Sequence, residues 1–129
     1  MRVLLDTHIL LWAAAGSRRL PDGARALIEN PANTLVFSSA ASLWEVAIKA
    51  RLGRPDFRCD PRLLRRGLID NGYEELPVTS LHAAATADLP DLHRDPFDRL
   101  LIAQSRTEGI LLVTADVRLG EYGSVVRVV

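Results

Sequence analysis

Two aspartates three positions apart open the segment RDPFDRLLIAQ, residues 94–104, which then turns apolar. Asp95 ahead of Pro96 suits a helix start, where a side-chain oxygen satisfies an unpaired backbone N–H and proline fits the first turn. An acid at position 98 would also be favoured by the positive end of the helix. The segment CDPRLLRRG supplies an internal control: Asp60 and Pro61 begin a helix in the same way, yet Leu63 stands where Asp98 would. Capping therefore requires Asp95 but not Asp98, and Asp98 becomes a candidate for chemistry if other carboxylates converge on it.

Three other acids meet that condition. Asp6 closes the apolar run RVLLD and Asp116 closes ILLVTAD. Each also has the simpler reading of a cap on the turn that follows. Glu45 lies in SLWEVAIKA among Leu43, Trp44, Val46, Ala47 and Ile48, and Lys49 stands four residues on, in the order that favours a surface ion pair. Carboxylates gathered in a folded protein repel one another, so a cluster of three or four usually persists around a neutralising cation. Oxygen donors suit Mg²⁺ or Mn²⁺, whereas a zinc cage would want cysteines and histidines that this chain does not group. Cys59 is the only cysteine, and His8, His82 and His93 are scattered. A carboxylate-held cation suits phosphoryl chemistry, which makes phosphodiester hydrolysis the leading reaction class. Thr114, two residues before Asp116, offers a hydroxyl to a phosphate or to a ligating carboxylate, or is an ordinary strand threonine. His8 and His82 read as packing or surface residues, and His93, beside Asp95, is a candidate neighbour of the site.

The elements that must position these residues alternate along the chain. RVLLD reads as a strand, Thr7 as a possible cap and HILLWAAAG as a helix; PDGARALIEN and TLVFSS follow as helix and strand. Ser39 is the expected cap of the long helix AASLWEVAIKARLG, and DPRLLRRGLIDNG forms another. YEELPV is a strand, SLHAAATADLP and PFDRLLIAQSRTEG are helices, ILLVTAD is a strand, and VRLGEYG is a short turn leading to the last strand SVVRVV. This alternation predicts an α/β fold in three α/β/α layers, with a mostly parallel twisted sheet whose ligand site lies beyond the carboxyl ends of its strands. Trp12 and Trp44 are expected in the core.

Composition narrows the class further. At 129 residues and 48% hydrophobic, the chain is expected to form one domain over residues 1–129. Sixteen basic residues balance sixteen acidic ones, so net charge neither proposes nor excludes nucleic acid. Locally, residues 49–66 carry a balance of +5 and residues 70–98 one of −6. The basic run reads as RNA backbone contact, as docking for a protein partner, or as a solvated helical face. The lone cysteine fits a reducing cytoplasm, Asp6 and His8 interrupt what would otherwise imitate a signal peptide, and no apolar run approaches a membrane span.

The order LLDTH, SLWEVAIK, DPFDRLLIAQ and LLVTAD resembles the PIN domain nucleases, and closely the VapC-type toxins of bacterial toxin-antitoxin pairs. The match runs along the whole chain. The resemblance implies an endoribonuclease dependent on Mg²⁺ or Mn²⁺, with the first strand central in a parallel sheet and the acids at its carboxyl edge. By motif, Asp6, Glu45, Asp98 and Asp116 correspond to the family's four acids in order. Asp6 and Asp98 look like the firmest metal ligands, Glu45 would act through metal or water, and Asp116 would complete the site or hold a second metal. Position 8 departs from the pattern, since many members carry Asn or Ser there. The resemblance also implies RNA as substrate, a small cognate antitoxin that blocks the cleft, and a homodimer.

Other readings fit less well. A haloacid-dehalogenase-like phosphatase would want Asp-x-Asp where this chain has Asp6-Thr7-His8, and a receiver-like domain would want a lysine after a late strand, whereas the sole lysine is Lys49. A non-catalytic PIN-like binding module would be favoured by a missing acid, and none is missing. A dinucleotide-binding fold would want a Gly-x-Gly turn after the first strand.

Overall fold

A computed structural model describes residues 1–129. Five strands, β1 (Arg2–Leu5), β2 (Thr34–Ser38), β3 (Glu74–Leu76), β4 (Leu111–Thr114) and β5 (Val126–Val128), form one sheet in the order β3-β2-β1-β4-β5. Every pairing is parallel, so the expectation of a mostly parallel sheet is met in full. The crossovers carry the helices α1 (Thr7–Ala15), α2 (Asp22–Glu29), α3 (Ser39–Arg51), α4 (Pro61–Asp70), α5 (Ser80–Ala85) and α6 (Pro96–Glu108).

Both faces of the sheet are covered, and the strand pleat sorts side chains between them. Val3, Leu5, Phe37 and Val113 pack with Ile9 and Leu10 of α1 and with Leu64 and Leu68 of α4. Leu4, Val36 and Leu112 point the other way, onto Leu101 and Ile102 of α6 and onto Leu119 and Tyr122. The central strands β1 and β4 are largely apolar on both faces because neither face meets water there, whereas the edge strands β3 and β5 expose Glu74 and Arg127. From β1 the chain steps outward to β2 and β3, then returns across the sheet to β4 on the other side of β1. That reversal opens a crevice beyond the carboxyl ends of β1 and β4.

Several local expectations are corrected. Ser38, not Ser39, caps α3, because β2 runs through Ser38 in extended backbone and its hydroxyl accepts from the Ala41 N–H at 3.2 Å. Of the two candidate caps of α1, Asp6 and Thr7, Asp6 is the one that serves. The helix expected over SLHAAATADLP breaks into α5 and a 3-10 turn at Thr86–Asp88. Trp44 is 61% exposed, because the inward face of α3 is Ala41, Ser42, Glu45 and Val46. It packs edge-on against Phe97 with ring centroids 5.6 Å apart. Trp12 is only partly buried, flanking the α1 side of the core.

His82 is a buried structural residue. The Thr79 N–H donates to its Nδ1 at 3.0 Å, which places the ring proton on Nε2, 3.0 Å from a Glu108 oxygen. In return the His82 N–H donates to Thr79 Oγ1 at 3.3 Å, so one side chain caps α5 and ties it to α6. His82→Ala strands these partners and is expected to cost about 2–3 kcal/mol, read by urea denaturation. A cost under about 0.5 kcal/mol would mean the network adds nothing net.

Candidate active site

β1 ends at Leu5, paired with Val113 of β4, and the Asp6 N–H donates to the Val113 carbonyl at 3.0 Å. The ladder thus continues one residue past β1 and sets the buried Asp6 side chain beside Thr114. Asp6 Oδ1 accepts from the Ile9 N–H at 3.0 Å, capping α1, and Oδ2 accepts a short hydrogen bond from Thr114 Oγ1. The capping reading and the convergence reading of Asp6 therefore hold together, one oxygen serving each. Burial pushes the Asp6 pKa up to about 6, against the pull of the Thr114 and Ile9 hydrogen bonds, and the charges of Glu45 and Asp116 add to the rise.

Glu45 faces inward from α3, and its Oε2 pairs with the Lys49 ammonium. The ion pair expected at a surface is instead nearly dry. Lys49 Nζ lies 4.9 Å from the Phe57 ring centroid and 5.9 Å from that of Phe97, so aromatic faces support its charge. Glu45 Oε1 is buried with no hydrogen-bond partner, a costly state for a carboxylate oxygen. One turn earlier on α3, the buried Ser42 accepts a hydrogen bond from Thr7 Oγ1 at 3.1 Å, tying α3 to the start of α1.

Asp98 enters from the first turn of α6. Asp95 Oδ1 accepts from the N–H groups of Phe97 at 2.9 Å and Asp98 at 3.0 Å. Asp60 caps α4 alike, accepting from the Arg62 N–H at 2.9 Å. The Asp98 carboxylate is thereby released from capping, and its Oδ2 lies 2.9 Å from His93 Nε2. Burial raises its pKa to about 6; Asp95, Glu45 and Asp6 push the same way, and His93 pulls down.

Asp116 lies two residues beyond β4 rather than closing it, and caps the 3-10 turn Val117–Tyr122. The Arg118 guanidinium grips it through Nε at 3.1 Å and Nη2 at 2.8 Å, holding its carboxyl below the usual carboxylate range. The Asp116 N–H donates to Thr114 Oγ1 at 3.0 Å, so Thr114 joins the ends of both chain segments. A cleft of about 630 Å³ lined by His93, Arg94, Asp95, Asp98 and Arg118 opens onto this side.

The four acids singled out in the sequence therefore gather at one sheet edge, two of them with pKa raised by burial and two countered by Lys49 and Arg118. His8 stands apart, packed against Trp12 and Phe57. The Glu45–Lys49 pair and His93 as a neighbour of the site were anticipated, whereas Arg118 across Asp116 and the choice of Asp98 as the partner of His93 were not. Spacing alone hints at Arg118, two residues after Asp116, but nothing local marks His93 for Asp98 rather than Asp95.

The family model for the PIN domain matches residues 3–124. This chain belongs to the PIN domain family. Ribonuclease VapC22 of Mycobacterium tuberculosis is 32% identical over 121 residues, spanning 93% of this PIN domain chain and 91% of the relative. Among solved structures, VapBC2 from Rickettsia felis, bound to a DNA fragment from its promoter, superimposes with a TM-score of 0.70 at 17% identity, covering 98% of each chain. Mycobacterium tuberculosis VapC20, a Sarcin-Ricin loop cleaving toxin, gives 0.61 at 22% identity, covering 94% of this chain and 95% of its own. These structural likenesses show that the PIN fold spans nearly the whole chain.

Thr114→Val would remove the one hydroxyl that donates to Asp6. It is expected to raise the Asp6 pKa further, read by titrating the Asp6 carboxyl resonance of variant and wild type. An unchanged Asp6 pKa would reduce Thr114 to strand packing.

Proposed function

We propose that this protein is a divalent-cation-dependent endoribonuclease that hydrolyses RNA phosphodiester bonds as the toxin of a toxin-antitoxin pair. The observation that carries the chemistry is the convergence of Asp6, Glu45, Asp98 and Asp116 at the crevice beside β1 and β4, with Glu45 Oε1 buried and unpartnered. The donor set fits a hard cation: two carboxyls driven toward the neutral form gain most from one, and the unpartnered oxygen gains a partner. Asp6 and Asp98 would hold Mg²⁺ or Mn²⁺, with Glu45 acting directly or through water and Asp116 completing the set. Bound there, such a cation lowers the pKa of a water and offsets the charge of the phosphate.

The remaining roles belong to the chain itself. Thr114 orients Asp6 through its donated hydrogen bond. Lys49 and Arg118 keep Glu45 and Asp116 neutralised before substrate arrives, and Arg118, with a side chain 68% exposed, can turn toward an RNA phosphate. The relative's activity as a ribonuclease supports RNA as substrate. We assign the whole chain, residues 1–129, to one PIN domain.

The toxin reading brings a small cognate antitoxin. A groove of about 540 Å³ between α1, α2 and α4, lined by Ala13, Ile28, Leu63, Leu64, Leu68 and Tyr73, fits the apolar face of such a partner and holds none of the four acids. A homodimer completes the reading. No helix is long and apolar enough to cross a membrane.

Induced expression in a bacterial host tests the proposal. Wild type is expected to arrest growth and create new RNA 5′ ends, while Asp6→Asn and Asp98→Asn proteins, accumulating to equal levels, do neither. Arrest by the variants equal to that by wild type would place the toxicity elsewhere.

A further inference from the structure

His93 Nε2, one oxygen of Asp98 and one of Asp116 lie within 4.8 Å of one another. The first two are 2.9 Å apart. An octahedral cation with donors at about 2.1 Å spaces adjacent donors about 3 Å apart, so this nitrogen and oxygen already stand at the edge length of a coordination sphere. The imidazole is held there by more than its own contact. The Arg99 guanidinium, on the residue after Asp98, donates to the carbonyls of Thr86 at 3.0 Å, Pro90 at 3.1 Å and His93 at 3.2 Å, and to Tyr122 Oη at 3.3 Å. One side chain thereby pins the loop that carries His93 to the helix that carries Asp98. The pair faces the polar cleft rather than the apolar core. Arg118, which covers Asp116, does so from an exposed position that it can leave.

We infer that His93 is a nitrogen ligand of the divalent cation, beside Asp98 and Asp116, and that the site in consequence prefers Mn²⁺ to Mg²⁺. The inference rests on the reading of this edge as a cation site and adds to its carboxylates a donor of a different kind. Imidazole is a softer donor than carboxylate or water. Mg²⁺ takes oxygen donors and keeps its waters, whereas transition cations accept the nitrogen.

Electron spin echo spectroscopy of the full-length protein loaded with Mn²⁺ alone tests this without any RNA. Nitrogen modulation from a directly bound imidazole is expected, with a pattern that changes when the histidines are labelled with ¹⁵N. Of the three histidines, His8 packs against Trp12 and Phe57 and His82 is committed to Thr79 and Glu108, which leaves His93 as the source. In His93→Ala the modulation disappears, and Mn²⁺ affinity falls about tenfold or more while Mg²⁺ affinity falls less. Mn²⁺ bound by wild type with only oxygen around it overturns the inference and leaves the carboxylate site standing. No Mn²⁺ binding at millimolar concentration overturns both. Because the wild-type spectrum alone decides, the test does not depend on the variant folding.

Discussion

Protein carrying Asp6→Asn and stripped of divalent cations is expected to be more stable than wild type at about pH 8, by about 3 kcal/mol. The Asp6 carboxyl titrates at 3.8 in an ordinary setting and at about 6 here, chiefly because folding buries it. A carboxyl raised by folding contributes stability that is fully present below its unfolded pKa and is lost as pH rises through its folded pKa. The wild type therefore weakens between pH 3.8 and about 6, and above that window it carries the whole penalty of a buried charge. Asparagine never ionises, yet keeps an oxygen for the Ile9 N–H. The two proteins are expected to melt alike near pH 3, to diverge between pH 3.8 and about 6, and to keep a constant gap above that window, in thermal scans with EDTA. Adding Mn²⁺ is expected to raise the wild type more than the variant and so to narrow the gap, since the variant lacks one charged ligand of the proposed site. A variant less stable than wild type at pH 8 would mean that Asp6 stabilises the fold as a charged group.

Asp98→Asn is expected to slow RNA cleavage by about a thousandfold or more. A cation at a phosphoryl centre supplies several kcal/mol of transition-state stabilisation, and each 1.36 kcal/mol is a factor of ten. The substitution keeps shape and removes charge. Asp95 makes the helix cap, so α6 loses nothing at its start, and the amide remains within reach of His93. Removing a carboxyl raised to about 6 also relieves a folding penalty, so loss of activity by collapse is not expected. Single-turnover cleavage by variant and wild type, compared at matched circular dichroism, reads the effect. A fall of less than tenfold would remove Asp98 from the chemistry.

The fold was legible because its local signals agree with one another. Apolar runs of four or five residues mark buried strands, and Asp60, Asp95 and the αL glycines Gly16 and Gly109 bound helices where capping chemistry predicts. Signals failed where two adjacent residues offered the same chemistry, as at Ser38 and Ser39, or where a helix is apolar nearly all round. In α3 the inward face includes Ser42 and Glu45 while Trp44 turns outward, an inversion of hydrophobic order that only tertiary contacts decide. The four acids could be placed at one edge because each sits at a strand end or in a helix beside one. Their neighbours could be placed only in part, through the Glu45–Lys49 spacing and the nearness of His93 to Asp95. Lys49 against two aromatic rings, Arg118 across Asp116 and His93 against Asp98 depend on side-chain directions and loop path, which spacing does not encode.

The central claim is that a cation held at the β1 and β4 edge enables RNA hydrolysis. Its most direct test is cleavage of total bacterial RNA by purified, antitoxin-free protein, first with EDTA and then after Mg²⁺ or Mn²⁺ is restored. Discrete cuts that vanish with EDTA, return with either cation and are absent from Asp6→Asn and Asp98→Asn protein are the predicted result. Cuts that persist in EDTA, or that the folded variants make as fast as wild type, would contradict the account.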